Sequence, residues 1–355
     1  MSDDVGGAAR LADPAANCMG VLRLVLAMLV VLSHAYPFGS FGPDAMLGFS
    51  RQQVDWGSFA VHGFFVLSGF LVAQSWDRSR STKQFVVNRV LRIMPGYWLC
   101  LLITVVALAP VLWALLDKPG RYWQADPSHI TYLTKNWLLA QKQRDIGSLT
   151  AGLGVPHYFN PSLWTLASEF ACYMGILVLG LAGAVRRCSW WLVGVFCLFY
   201  ANSIFDPTHS RWFMKIYSTP MSVRLPIYFV AGSVWWSWQD YMPCTKATWM
   251  VALGLGTIAT GLGYYHEAMP LILPALSFPL AASFHSPAFF LKHDYSYGVY
   301  LYGTPVERLL LAVGLGVSSP WILASLAAVL VMPFAMLSWH FCEKPSLRLK
   351  HIFGR

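Results

Sequence analysis

An arginine and a histidine share the first long apolar segment of the chain, roughly residues 18–36. Arg23 and His34 lie eleven positions apart. Eleven residues at about 100° each make nearly three full helical turns, so both side chains share one face, separated by a rise of about 16 Å. Ionisable groups inside an apolar span are costly and mark function by default. The alternative is that each side chain extends to the nearer membrane surface.

A second pair of basic residues precedes the third apolar segment. Arg89 and Arg92 lie three positions apart in FVVNRVLRIMPGY, hence on one helix face. Paired guanidinium groups at a membrane surface suit the recognition of phosphate groups. The alternative is a topological anchor, in which the same charges only hold this segment on the cytoplasmic side.

Acidic residues also occur inside apolar segments. SLWTLASEFACY places Glu169 about two turns into the fourth segment. An unpaired carboxylate there is protonated or needs a cation, so we expect a histidine or arginine on a facing helix. The alternative is a structural contact between helices. Glu307 and Arg308 form a further ionisable pair in the ninth segment, whereas His62, alone in the second, is expected to be a packing residue.

Motifs for several other chemistries are absent from the sequence. There is no GxxxxGK[ST] phosphate-binding loop, no HExxH zinc pair and no GxSxG nucleophile elbow. ATP-driven transport, zinc proteolysis and serine hydrolysis therefore lose support. The seven cysteines form no CxxC pair, and they are typical of small apolar residues rather than of a disulfide framework or a metal site.

The composition indicates that the bilayer is the solvent of this chain. Of its 355 residues, 56% are hydrophobic and only 12% charged, against roughly 25% charged in ordinary soluble domains. A soluble fold of this size could not bury all the apolar runs. The net charge is +9, but the basic residues lie mostly between apolar runs, where they orient spans. We therefore expect membrane lipids around the chain and no nucleic-acid partner.

Ten segments are apolar enough for membrane spans of about 20 residues. The predicted fold is an all-α, polytopic transmembrane helical bundle. We divide the chain into a cytoplasmic tail (1–17), an integral membrane domain (18–341) with a long periplasmic loop (117–162), and a basic cytoplasmic tail (342–355). The ten predicted spans are roughly 18–36, 57–76, 95–116, 163–185, 189–205, 221–238, 248–265, 269–284, 296–315 and 321–341.

The distribution of lysine and arginine predicts that both termini lie in the cytoplasm. Basic residues are dense in 77–95, in the turn 184–188 and in the tail 342–355, which ten spans place on one side of the membrane. The turns near 266–268 and 316–320 fall on the other side and carry no lysine or arginine. This pattern predicts a multi-pass protein of a bacterial inner membrane.

Taken together, these motifs resemble those of the acyltransferase-3 family of integral membrane acyltransferases, and they occur in the order of that family. Arg23 and His34 match its Arg-x10-His signature. HGFFVLSGFLVAQ at 62–74 resembles its FFxxSGF span. RVLR at 89–92 resembles its Arg-x-x-Arg segment.

The resemblance continues through the second half of the chain. SLWTLASEFACY resembles the family's WSLxxE(x)xFY stretch and places Glu169 on the characteristic acid. DYSYGVYLYGTPV resembles its SYxxYLxHxP stretch, although Gly303 stands where many members carry a histidine. The similarity runs from Asn17 to the EKP sequence at 343–345.

The resemblance implies a membrane-bound O-acyltransferase. Such an enzyme would move an acyl group, here an acetyl group, from cytoplasmic acyl-CoA to a hydroxyl of a cell-envelope or exported carbohydrate. Exopolysaccharide, O-antigen or a lipid-linked sugar would be the acceptor. Acetyl-CoA would be the donor substrate, and no cofactor or metal is expected.

Acyl transfer to a hydroxyl assigns roles to five residues. His34 is the expected catalytic base, because imidazole titrates near neutral pH. Glu169 is expected to orient or charge-stabilise that base, as a carboxylate does in hydrolytic triads. Arg23, Arg89 and Arg92 are expected to bind the phosphates of coenzyme A. The alternative function is a transporter or flippase for a lipid-linked glycan or a small solute, against which the lack of an inverted repeat weighs.

Overall fold

The computed structural model describes residues 5–125, 127–205, 220–316 and 318–350, and over these residues it is helical with no strand. The all-α prediction is therefore confirmed. The α-helices within the described residues are α1 (Val5–Ala12), α2 (Met19–Phe38), α3 (Ala45–Phe49), α4 (Trp56–Arg78), α5 (Thr82–Ile103), α6 (Ala109–Leu115), α7 (Tyr122–Ala125), α8 (Ser128–Asn136), α9 (Trp164–Leu181), α10 (Trp190–Phe205), α11 (Pro220–Trp238), α12 (Lys246–Leu262), α13 (Tyr265–Ser283), α14 (Ala288–Lys292), α15 (Ser296–Ala312), α16 (Pro320–Ser338) and α17 (Lys344–Arg348).

Three short segments of other helical types extend these helices. A π-helical turn, Thr104–Leu108, joins α5 to α6, and a second one, Trp339–Glu343, joins α16 to α17. A 3₁₀ turn, Pro161–Leu163, leads into α9. Single π turns within long helices often mark functional positions.

Within the described residues, five continuous helical segments are long and apolar enough to cross a membrane. The chain is therefore a membrane protein with several spanning helices. The five segments are Met19–Phe38, Trp56–Arg78, Thr82–Leu115, Pro161–Leu181 and Pro320–Arg348.

Each of the ten predicted spans coincides with a helix, but the number of membrane crossings stays a prediction. The largest difference in boundaries concerns the third span, which was expected to begin near Pro95. The helix instead begins at Thr82 and runs through Pro95, so Arg89 and Arg92 are part of the spanning helix. Proline is tolerated inside membrane helices because neighbouring groups satisfy the freed backbone.

Helix α4 lies at the centre of the bundle and packs against α2, α9, α11 and α13. Two glycines allow the closest of these contacts. A Cβ on Gly69 would overlap the carbonyl of Phe229, and a Cβ on Gly232 would overlap the carbonyl of Val66. Small residues at such crossings let helix backbones approach closely, which is how membrane helices gain packing energy.

The segment 153–159 of the long loop is attached to the bundle by Arg308. The side chain of Arg308 is fully buried, and its guanidinium donates to the carbonyls of Leu153 and Val155 at 2.7 Å and of Phe159 at 3.1 Å, and also to the carbonyl of Tyr158. Four backbone carbonyls accept hydrogen bonds from this buried cation. The Arg308 side chain is therefore held inside the protein rather than extended to the membrane surface.

Candidate active site

Two cavities lie one after the other along α2, and each holds part of the predicted site. We call them the arginine cavity and the histidine cavity. The arginine cavity is lined by Arg23, Val61, Phe64, Phe65, Ser68, Leu71, Val72, Arg89, Arg92, Ile93, Thr165, Leu166, Glu169, Tyr173, Ser296, Tyr297 and Tyr300. The histidine cavity is lined by Val30, Ser33, His34, Tyr36, Pro37, Gly42, Pro43, Asp44, Leu47, Asp55, Gly57, Ser58, Val61, His62, Ser162, Trp164, Thr165, Leu225 and Tyr300.

A thin wall of three buried side chains separates the two cavities. Val61, Thr165 and Tyr300 line both. The Tyr300 hydroxyl donates to the carbonyl of Ser162 at 2.8 Å and lies 2.5 Å from the Thr165 hydroxyl. These bonds connect the start of α9 to the middle of α15 where the cavities meet.

Two of the predicted arginines meet at one aspartate. Arg23 and Arg92 each donate to the same oxygen, Oδ2 of Asp294, at 2.8 and 2.7 Å. The other oxygen, Oδ1, accepts from the hydroxyl of Ser296 at 2.5 Å. Burial opposes ionisation of this carboxyl, but the two guanidinium groups hold the pKa of Asp294 below its ordinary value.

The third arginine lines the same cavity together with Glu169. Arg89 donates to the Ser75 hydroxyl at 3.1 Å, and its guanidinium carbon lies 5.5 Å from the centre of the Tyr173 ring. Glu169 Oε1 accepts from Tyr173 at 2.6 Å and from Ser68 at 2.9 Å. The arginine cavity therefore gathers three guanidinium groups, of which Asp294 and Glu169 offset only a part.

His34 is alone among the five predicted residues in the histidine cavity. Its Nδ1 lies 2.8 Å from the carbonyl oxygen of Val30, one turn earlier in α2. A carbonyl can only accept, so Nδ1 carries the proton and Nε2 is left with a free lone pair. The imidazole stacks on the Phe38 ring with ring centres 5.8 Å apart. The guanidinium carbon of Arg308 lies 4.5 Å from the centre of the Phe38 ring. The ring of His34 is thus fixed in both tautomer and orientation.

Acidic and aromatic side chains accompany His34 in this cavity. Asp44 and Asp55 cap the N-termini of α3 and α4, accepting from the backbone amides of Leu47 and Ser58. Tyr36 and Trp164 also line the cavity. Carboxylates accept hydrogen bonds from hydroxyl groups. Aromatic rings offer flat apolar surfaces on which another ring can pack.

His62 and Gly303, two further positions of the sequence motifs, are both packed against neighbouring helices. His62 Nδ1 lies 2.8 Å from the Tyr265 hydroxyl, and its ring stacks on Tyr228 at 4.0 Å between centres. Gly303 faces α2, and a Cβ there would lie 2.7 Å from Cγ2 of Val31. The close approach of α15 to α2 is thus a packing reason for glycine at this position.

The structure brings four of the five predicted residues together and places the fifth apart. Arg23, Arg89, Arg92 and Glu169 share the arginine cavity, whereas His34 lies beyond the wall. The contacts of the Glu169 carboxylate are with hydroxyl groups of its own cavity. An orienting bond from Glu169 to the imidazole is not among them, and the carbonyl of α2 orients that ring instead.

Sequence reasoning missed two acidic residues of the site. Asp294 is the first residue of the DYSYGVY stretch, yet its pairing with residues 202 and 271 positions away is visible only in three dimensions. Asp55 caps α4 and also lines the histidine cavity. An acid next to a motif was the only available signal for the first.

Comparisons with known proteins point to one family. The model of an acyltransferase domain family, acyltransferase 3, matches residues 17–340. The chain is 28% identical over 335 residues to a protein of Shigella phage Sf6 named O-acetyl transferase, covering 92% of this chain and 95% of that protein. It is 27% identical over 363 residues to Nodulation protein 10 of Rhizobium leguminosarum bv. viciae, covering 94% of each. No solved structure matches the chain significantly.

Proposed function

The chain belongs to the acyltransferase-3 family and is a membrane acyltransferase, and from this premise we propose that it moves an acetyl group from acetyl-CoA to a carbohydrate hydroxyl. The name of the phage relative, O-acetyl transferase, supports an acetyl group and an oxygen acceptor. We place this reaction in a bacterial inner membrane, with the acceptor a glycan of the cell envelope or an exported one.

The arginine cavity supports a coenzyme A donor. Coenzyme A carries a diphosphate and a 3′-phosphate, and guanidinium groups bind phosphate oxygens through short, charge-assisted hydrogen bonds. Asp294 holds Arg23 and Arg92 side by side, so their remaining N–H groups stay available for a ligand. In the predicted topology this cavity lies in the cytoplasmic half, where acetyl-CoA is present.

The histidine cavity supports a carbohydrate acceptor. Its carboxylates, serines and aromatic rings match the alternating hydroxyl groups and C–H faces of a sugar. In the predicted topology this cavity lies toward the periplasm, the side on which envelope glycans are assembled.

The transfer itself needs a base at the acceptor and a path for the acyl carbon. Nε2 of His34 takes the proton of the sugar hydroxyl while that oxygen attacks the thioester carbonyl. The new C–O bond forms, the C–S bond breaks, and coenzyme A leaves as a thiolate that the proton from the imidazole neutralises. The observation that supports the proposal is the Nδ1 contact of His34 with the Val30 carbonyl, which leaves Nε2 as the basic nitrogen of a residue lining a cavity that shares a wall with the arginine cavity.

The test is acetyl transfer with purified protein, labelled acetyl-CoA and glycan from a deletion strain. His34→Ala should lower transfer by about 10²–10⁴-fold, the usual contribution of a general base, with donor binding largely intact. Arg92→Ala should instead weaken acetyl-CoA binding by about ten- to a hundredfold. His285→Ala, at an exposed position, is the matched control. Near-normal transfer by His34→Ala would remove this residue from the mechanism.

A further inference from the structure

The two aspartates of the histidine cavity differ in how many of their oxygens are occupied. Asp44 is 5% exposed and uses both oxygens: Oδ1 accepts from the amide of Leu47, and Oδ2 from the Ser33 hydroxyl and the amide of Trp56. Asp55 uses Oδ1 for the amide of Ser58 at 2.5 Å. Among the described residues, no hydrogen bond reaches Oδ2 of Asp55.

The free oxygen belongs to a side chain that lines the same cavity as the proposed base. Asp55 and His34 are both lining residues of the histidine cavity. Glu169, the acid that the sequence had suggested for this role, lies beyond the wall with its own hydroxyl partners. Of the acids in the histidine cavity, Asp55 is thus the one with an unused oxygen.

The chemistry of the proposed transfer has two needs that such a carboxylate meets. The imidazole becomes positively charged when it takes the hydroxyl proton, and a nearby negative charge stabilises that state. The acceptor must also be held with one hydroxyl at Nε2, and a second sugar hydroxyl can donate to a carboxylate oxygen about 3 Å away. A monohydric alcohol could not satisfy both residues at once.

We propose that Asp55 binds the acceptor through a second hydroxyl of the sugar that is acetylated, and that its charge supports His34 during transfer. The substrate class is therefore a polyhydroxylated sugar, with one hydroxyl for each residue. This inference rests on the proposed function and adds a contact that neither the sequence motifs nor the relatives' names indicate.

The cap that Asp55 forms provides an unusually clean test. Asparagine and serine cap helices about as well as aspartate, whereas alanine does not. Asp55→Asn and Asp55→Ser therefore preserve the start of α4 and remove the charge and the second carboxylate oxygen. Both should lower transfer to the deletion-strain glycan about ten- to a hundredfold, as for a lost charge-assisted bond, with a higher KM for glycan and unchanged acetyl-CoA binding.

Thr245→Ala is the control for the loss of a cap alone, since Thr245 caps α12 away from both cavities, whereas Asp55→Ala loses the cap and the charge together. If Asp55→Asn and Asp55→Ser transfer at the wild-type rate and only Asp55→Ala is impaired, Asp55 is a cap and the inference is wrong. That result is distinct from failure of the proposed function, in which the wild type transfers no acetyl group and His34→Ala changes nothing.

Discussion

Replacing Arg308 by methionine should detach the long loop from the bundle. Methionine keeps an unbranched apolar stem but removes the donors to the carbonyls of Leu153, Val155, Tyr158 and Phe159. A hydrogen bond to a charged group contributes about 1.5–3 kcal/mol, so four would sum to about 6–12 kcal/mol if they were additive. The variant also avoids burying a cation, which offsets part of that sum.

The expected net effect is a loss of stability, because each carbonyl left buried without a donor costs about 1–3 kcal/mol. It should appear as local opening of the loop, because the four acceptors all lie within one short segment. Phe159 donates its amide to the carbonyl of Arg144 at 2.6 Å, and Arg144 lies 4.9 Å from the centre of the Tyr158 ring. The side chain of Arg144 is already exposed, but this hydrogen bond holds its backbone, so release of the segment makes the peptide bond after Arg144 accessible to a protease.

Limited trypsin digestion of detergent-purified protein measures this opening directly, through cleavage after Arg144. When opening precedes cleavage, the rate follows the population of the open form, so we expect at least a tenfold increase. Arg80→Met is the matched control, because Arg80 is exposed on another loop. Equal cleavage of the Arg308→Met and Arg80→Met proteins would show that the buried guanidinium does not hold the loop.

Three further predictions concern acetyl-CoA binding, the carboxylate of Glu169 and the membrane topology. Burial and the charges of Arg89 and Arg92 lower the pKa of Lys350 to about 8, so its positive charge is present below pH 8 and lost above it. The affinity for acetyl-CoA should fall as pH rises through this value. Equilibrium binding to the Lys350→Met protein should show no such fall, and the same pH dependence in this variant and in the wild type would contradict the prediction. Glu169→Gln should transfer more than His34→Ala and less than the wild type in the glycan assay, because the amide oxygen keeps both hydroxyl contacts; full activity would refute a role for its charge. Reporter fusions after Arg187 and at the carboxy terminus should report cytoplasm, and fusions within the long loop periplasm; an external carboxy terminus would exclude the ten-span topology.

The helices could be predicted well from the sequence because hydropathy is a local property. Each predicted span coincides with a helix, and the main boundary error came from basic residues. The stretch from Thr82 to Pro95 is too polar for an apolar run, yet it is the first half of a helix whose charged side chains line a cavity. Periodicity and charge do not distinguish a buried functional face from a surface segment.

The site could be predicted only as a set of residue types. The spacing of Arg23 and His34 predicted that they share one helix face and lie at different depths in the membrane. The structure agrees, since Arg23 lines the arginine cavity and His34 lines the histidine cavity. The sequence could not place Glu169 level with Arg23 or with His34, because Glu169 is on a different helix. Its position along the membrane normal depends on where α9 starts relative to α2. Thr165 lines the wall and Glu169 follows four residues later, a rise of about 6 Å into the arginine cavity.

The wall also bears on why these two cavities suit a transferase better than a transporter. A transporter must open a path as wide as its whole solute, so the elements between its two cavities have to move apart. In the proposed reaction only the acyl carbon of the thioester has to meet the acceptor oxygen, while coenzyme A and the sugar stay on their own sides. Val61, Thr165 and Tyr300 are buried, and the two hydroxyl groups of this trio are 2.5 Å apart. Because three side chains line both cavities, and two of them are hydrogen-bonded between α9 and α15, the proposed transfer requires only local rotation of side chains, whereas passage of a glycan would require the two helices to separate.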